Sequence, residues 1–152
     1  MAMSYAAAKA ALRAAIAGLT PTVDPTAGFV SIIDATAGAR RRLEELPAGQ
    51  RYFEIATDTF PTPTVGGCRH ECRMLVRLRY QRTGDFDPVE TLILEDVAQI
   101  SRALRKGSNW DQDASGLTGV RPGEPFAENF PADGEPEFSI VAIPLTITIR
   151  SC

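Results

Sequence analysis

Residues 66–80 read GGCRHECRMLVRLRY, with two cysteines, the chain's only histidine and four arginines in fifteen positions. Numbered out, His70, Cys72, Met74, Val76, Leu78 and Tyr80 fall on one side, and Arg69, Glu71, Arg73, Leu75, Arg77 and Arg79 on the other. A period of two is the signature of a half-buried β-strand, whose successive side chains point to opposite faces. That reading decides the chemistry as well as the fold. In an extended chain, residues two apart lie roughly 6.6 Å from each other and residues four apart roughly 13 Å. A zinc ion needs donors at about 2.0–2.3 Å, so Cys68, His70 and Cys72 cannot share one. The same geometry forbids a disulfide between Cys68 and Cys72. The apolar side predicts a partly buried Cys/His pair. The arginine side is either a solvated face paired to acids of a neighbouring strand, such as Glu54 and Asp58, or a row of forked donors that meets another subunit or a polyanion.

Outward from this strand, RYFEIATD (51–58) is also β-rich and alternating. The Pro/Gly-rich TFPTPTVGG between them predicts an antiparallel pair with a long hairpin loop. On the other side, DFDPVETLILEDVAQISRALRKG predicts a helix over 88–106. Asp87 stands at the cap, Pro88 at the first helical position and Glu90 three residues after the cap. Its apolar stripe is Val89, Leu92, Ile93, Val97, Ile100 and Leu104, so the helix lies on a sheet. Residues 138–150, FSIVAIPLTITIR, predict a final strand. It alternates only after Pro144, which lacks a donor and so marks an edge or a bulge.

Three further segments complete the chain. Residues 4–17 predict an alanine-rich helix capped by Ser4, with a thin stripe of Leu12, Ile16 and Leu19 that must pack closely on the domain or on another subunit. Phe29–Ile33 is ambiguous between strand and helix. Asp34–Leu46 reads as helix, its Arg40–Arg42 and Glu44–Glu45 forming a solvated face. Residues 107–137 predict a long polar loop, rich in Gly, Pro, Asp and Glu, of a length that is normally functional or disordered. Trp110, Phe126 and Phe130 give it the means to dock.

Composition fits one domain spanning 1–152: 44% hydrophobic and 23% charged residues, with a formal charge of −3. An acidic chain is not as a whole a polyanion binder. Three cysteines do not make a disulfide framework, which predicts a reducing compartment. Lys9 and Arg13 interrupt the apolar N-terminal stretch, which predicts neither a signal peptide nor a membrane span. A single histidine rules out a two-histidine metal triad, and no GxSxG, phosphate loop or HExxH is present. No catalytic, cofactor or metal residues are predicted. The expected fold is α/β (α+β), with a mixed or largely antiparallel sheet flanked by helices.

In element order, and in the stretches RYFEIATD, RMLVRLRYQRTGDFDPVETLILEDVAQISRALR and EFSIVAIPLTITIRS, the chain resembles the tail terminator proteins of long-tailed bacteriophages, the minor tail protein U type. The resemblance covers about two thirds of the chain and contains no diagnostic motif. It implies a virion protein, made in the host cytoplasm, that assembles as a homohexameric ring on the last ring of tail-tube protein. Such a ring stops tube elongation and presents a surface to the head connector and neck proteins. DNA would pass through its lumen without sequence-specific binding. No reaction, cofactor or membrane is implied, and no catalytic residue is carried across. Arg69, Arg73, Arg77, Arg79, Trp110, Phe126 and Phe130 are the candidate subunit and partner contacts. Three readings compete: another head–tail joining or tail-completion protein, a small intracellular ligand-binding or enzymatic domain using Cys72 and His70, and a nucleic-acid module using the arginine strand.

Overall fold

The computed structural model describes residues 5–25, 27–32, 43, 51–63, 67–81, 86–129 and 138–150. The described elements are α1 (Tyr5–Ala17), β1 (Val30–Ser31), β2 (Tyr52–Pro63), β3 (Arg69–Gln81), α2 (Phe86–Leu104), α3 (Gln112–Ser115), β4 (Leu117–Pro122), β5 (Phe126–Asn129) and β6 (Phe138–Arg150). They form an α+β fold around one six-stranded mixed sheet in the order β1-β2-β3-β6-β4, with β5 also paired to β6. Only the short β1–β2 pairing is parallel.

The period-two strand lies at the centre of this sheet. β3 pairs with β6 without interruption from Arg69–Arg150 to Gln81–Phe138. Its even-numbered residues from Cys72 to Tyr80 are buried, and together with Phe53, Ile55, Ile143, Leu145, Ile147 and Ile149 they face α1 and α2. The predicted stripes account for the helices: Leu12 and Ile16 of α1, and Val89, Leu92, Ile100 and Leu104 of α2, close this core.

Several expectations need correction. β2 continues through TFPTP, which the reading placed in a loop. Two irregularities in its pairing, between Thr57 and Thr59 and between Thr59 and Thr62, let it carry prolines that a regular ladder would reject. α2 begins at Phe86, so Asp87 and Pro88 stand within its first turn and Asp87 is not the cap. A proline is tolerated there because the first-turn donors have no helical partner.

The region expected as a polar loop is also structured over much of its length. It contains a 3-10 turn at Gly107–Asn109, α3, β4 and β5. Asp111 caps α3 by accepting from the amides of Asp113 and Ala114, and Gly116 ends it with φ 69, a left-handed conformation that suits glycine. Leu117 and Val120 are then buried as the chain joins β6.

Pro144 sits in the middle of a central strand. Its carbonyl accepts the Gly123 amide at 2.7 Å, on the side where the chain passes from β4 to β5 and no ladder runs. A strand residue's amide and carbonyl point the same way, so the donor that proline lacks falls in that gap. A Cβ on Gly123 would come within 3.1 Å of the Pro144 ring, which makes this crossing tight. Before Pro144 the alternation fails because both faces of β6 are covered: Ile140 packs with Ile32 and Leu43 on the face away from the helices.

The Phe29–Ile33 ambiguity resolves in part as strand, since Val30–Ser31 pairs with β2. Ser4, Phe130 and nearly all of Asp34–Leu46 lie outside the described residues.

Candidate functional site

β3 divides the molecule into two electrostatic worlds. On the sheet face away from the helices, Arg77 lies directly across from Glu54. It donates from Nη1 to Glu54 and from Nε to Glu128 at 2.6 Å. Burial works against the guanidinium charge, but the bonds from Glu128 and Glu54 outweigh it and hold its pKa above the ordinary value. Arg73 lies 3.7 Å from Asp58, with both side chains substantially exposed. Arg79 is buried, its guanidinium over the rings of Phe138 and Tyr52 at 5.1 and 6.0 Å. Glu54 and Asp58 are the acids the sequence nominated as strand partners. Of the four arginines nominated for a partner contact, Arg77 and Arg79 are therefore held inside this chain, and Arg69 and Arg73 stand exposed at the far end of the strand.

On the helix face lies a polar cluster that the sequence reading missed. Arg51 and Asp96 are both 0% exposed and paired through Nε–Oδ2 at 2.9 Å. Arg51 also donates to the carbonyls of Val23, Asp24 and Ala27, and its guanidinium stands 5.8 Å from the Phe29 ring centroid. The Tyr80 hydroxyl donates to Asp96 at 2.9 Å. Burial first, and then the Asp96 charge and hydrogen bond, push the Tyr80 pKa well above its ordinary value. Arg51 has φ 62, and a left-handed side-chain residue costs roughly 1–2 kcal/mol. Its many bonds over-determine that conformation. One signal was legible: Asp96 lies four residues from both Leu92 and Ile100, in the middle of the apolar stripe. An acid placed there needs a buried partner.

The Cys/His pair is split. Cys72 is a free thiol in the core, and burial raises its pKa. His70 Nδ1 meets the Tyr5 hydroxyl at 3.0 Å, with the two rings edge to face. Cys68 is disulfide-bonded, against the expectation of a chain without disulfides. The bond does not join Cys68 to Cys72, as strand geometry requires. An odd cysteine count implies only that one thiol is left over, and Cys72 is that thiol. Among the described residues no three His, Cys, Asp or Glu side chains are grouped as a cation site would need, and no helix is long and apolar enough to cross a membrane.

Of the aromatic contacts nominated in 107–137, Trp110 is partly buried against the core. Its indole donates to the Leu117 carbonyl at 3.0 Å, which fixes the turn before β4. Phe126 is 45% exposed on β5. It borders a groove of about 410 Å³ between α2 and the β5–β6 pair, lined by Val89, Ile93, Leu94, Val97, Ala127 and Val141. Leu94 is 64% exposed on its rim. Glu90 and Glu124 also border it. At the opposite end of the sheet Phe60 of β2 is 88% exposed.

No protein-family model matches the chain, and no curated protein is significantly similar to it in sequence.

Proposed function

We propose that the chain is a structural virion protein, a tail terminator that forms a homohexameric ring on the tail tube, ends tube elongation and joins the tail to the head connector. The resemblance in element order supplies this reading. The observation that supports it is the placing of large apolar side chains in the open: Phe60 at one end of the sheet, Leu94 and Phe126 beside an apolar groove at the other. Exposed apolar surface gathered in this way is what a second protein chain covers. The groove is built of aliphatic and aromatic groups with acids at its border, and a surface of that kind suits binding better than bond-making. The burial of Cys72 in the core counts against the reading in which its thiol reacts.

The test is to add the purified chain to tail-tube protein as it polymerises. Tubes capped at one end by a six-subunit disc, with growth halted, are expected. Unaltered growth with nothing bound at the tube ends would overturn the reading, and binding to a portal or connector alone would favour a head–tail joining protein.

A further inference from the structure

We infer that Cys68 is bonded to Cys152, and that this bond is a redox-sensitive clasp which opens and closes in the folded chain at one end of the β3–β6 pair.

The chain has three cysteines. Cys68 is disulfide-bonded and Cys72 is a free thiol, so Cys152 is the one sulfur left to bond Cys68. The strands bring the two within reach. Arg69 and Arg150 are the last partners of the β3–β6 ladder. Cys68 directly precedes Arg69, and two residues of chain beyond Arg150 span up to about 7 Å. A disulfide needs its Cα atoms about 4.4–6.8 Å apart, which that reach allows with no change in the ladder.

Three features make the bond a switch and not a fixed staple. Cys68 is exposed, so a small thiol in solution can reach its sulfur, and exposed disulfides are the exchangeable ones. The bond lies beyond the core, whose nearest members on the two strands are Cys72 and Ile149, and a chain of this length keeps its fold without it. The chain also holds no competing partner. Cys72 is buried, and the strand sets it four residues, roughly 13 Å, from Cys68. Opening and closing therefore run between two states with no mispaired third.

Closing takes a small-molecule disulfide as oxidant. The Cys68 thiolate attacks one of its sulfurs and releases one small thiol. The Cys152 thiolate then attacks the Cys68 sulfur of the mixed disulfide and releases the second. The protein pair gives up two electrons and two protons, and the two released thiols carry them. Excess small thiol runs the sequence backwards. What changes is the freedom of the sheet end. Closed, the bond joins residues 68–152 in one loop and holds together the strand ends that carry Arg69 and Arg150; open, that end frays. The clasp works within one chain, whether or not the chain joins a ring.

The experiment holds the native chain in oxidised and reduced glutathione at a series of ratios, traps the thiols by alkylation and reads the bond by peptide mass. A linked Cys68–Cys152 peptide is expected in the oxidised buffers and is expected to disappear reversibly in the reduced ones, with the circular dichroism spectrum unchanged. On opening, hydrogen exchange is expected to quicken at the amides of His70 and Ile149, partners near the clasped end, and not at Leu78 and Val141, partners near the other. Closing a loop of this size is expected to raise the urea midpoint by about 2 M. C152S is expected to leave the Cys68 thiol open to alkylation in the native chain and to unfold at one urea midpoint whatever the ratio. Chains linked to one another through Cys68, or a Cys68–Cys72 bond in wild type, would overturn the pairing. A bond that stays closed in every native buffer and yields only in denaturant would overturn the switch.

Discussion

Arg51→Met tests whether the buried cluster holds the helix layer to the sheet. The substitution keeps an apolar stem and removes the guanidinium, leaving the Asp96 carboxylate fully buried with, among the described residues, the Tyr80 hydroxyl bonded to it. Stranding one partner of a buried ion pair costs about 3–5 kcal/mol. The carbonyls of Val23, Asp24 and Ala27 lose their donor as well, and partial access of water limits that to roughly 1 kcal/mol in all beyond the charge effect. The left-handed backbone remains in place with nothing to enforce it. A loss of about 4–6 kcal/mol approaches the whole stability of a domain near the lower end of the usual 5–15 kcal/mol. With a urea slope of about 2 kcal/mol/M, the midpoint falls by about 2–3 M.

Asp96→Asn keeps the shape and the tyrosine bond but strands the arginine, so its loss is expected at about 3–5 kcal/mol. The double variant Arg51→Met/Asp96→Asn strands no charge, and should be less destabilised than the two singles together by at least about 3 kcal/mol. The assay is urea unfolding followed by circular dichroism and by the fluorescence of Trp110, the only tryptophan. Single variants within about 1 kcal/mol of wild type, or a double variant equal to the two singles added, would refute this account of the cluster.

The raised Tyr80 pKa gives a pH prediction with a definite sign. A hydroxyl whose folded pKa exceeds the unfolded value of about 10 contributes stability that is full below pH 10 and is lost as pH rises beyond it. Tyr80→Phe should therefore be markedly less stable than wild type at pH 8, and the gap should narrow in urea melts above pH 10. The Cys72 thiol, buried with a raised pKa, should resist a thiol reagent in the native chain and react at once in denaturant; rapid native labelling would reopen the thiol-site reading. Arg77→Met leaves Glu54 of β2 and Glu128 of β5 without the cation they share over the β3–β6 pair. A loss of roughly 1–2 kcal/mol is expected at low ionic strength, shrinking with added salt as the two carboxylates are screened. Arg69→Glu with Arg73→Glu should leave the monomer folded and block assembly, as read by light-scattering mass.

The elements that follow from hydrophobic period alone were legible: β3 from its alternation, α2 from its 3.6-residue stripe, β6 from its β-branched run. Each matches because burial on one face dictates the pattern directly. β4 and β5 were hidden because they are short strands on a partner that is already formed. Leu117 and Val120 are too few to establish a period, and the Gly, Pro and acids around them serve caps and crossings. Pro144 misled because the rule against proline in a central strand assumes a ladder on both sides, and β6 has a gap there. The candidate surface was half visible. Phe126 could be nominated as a docking aromatic, but Phe60 stood among prolines that read as loop. The groove draws on α2, β5 and β6, which only the fold brings together. The arginine row was read correctly as a strand face. Which of its members a partner could reach depended on Glu54, Glu128, Tyr52 and Phe138, all distant in sequence except across the sheet.

The most direct test of the central claim is the mass of the purified chain by light scattering coupled to size exclusion, followed from dilute to concentrated samples and again with tail-tube protein present. The ring account predicts a mass near six subunits, or a climb towards six with concentration. A single-subunit mass at every concentration, unchanged by tail-tube protein, would contradict it.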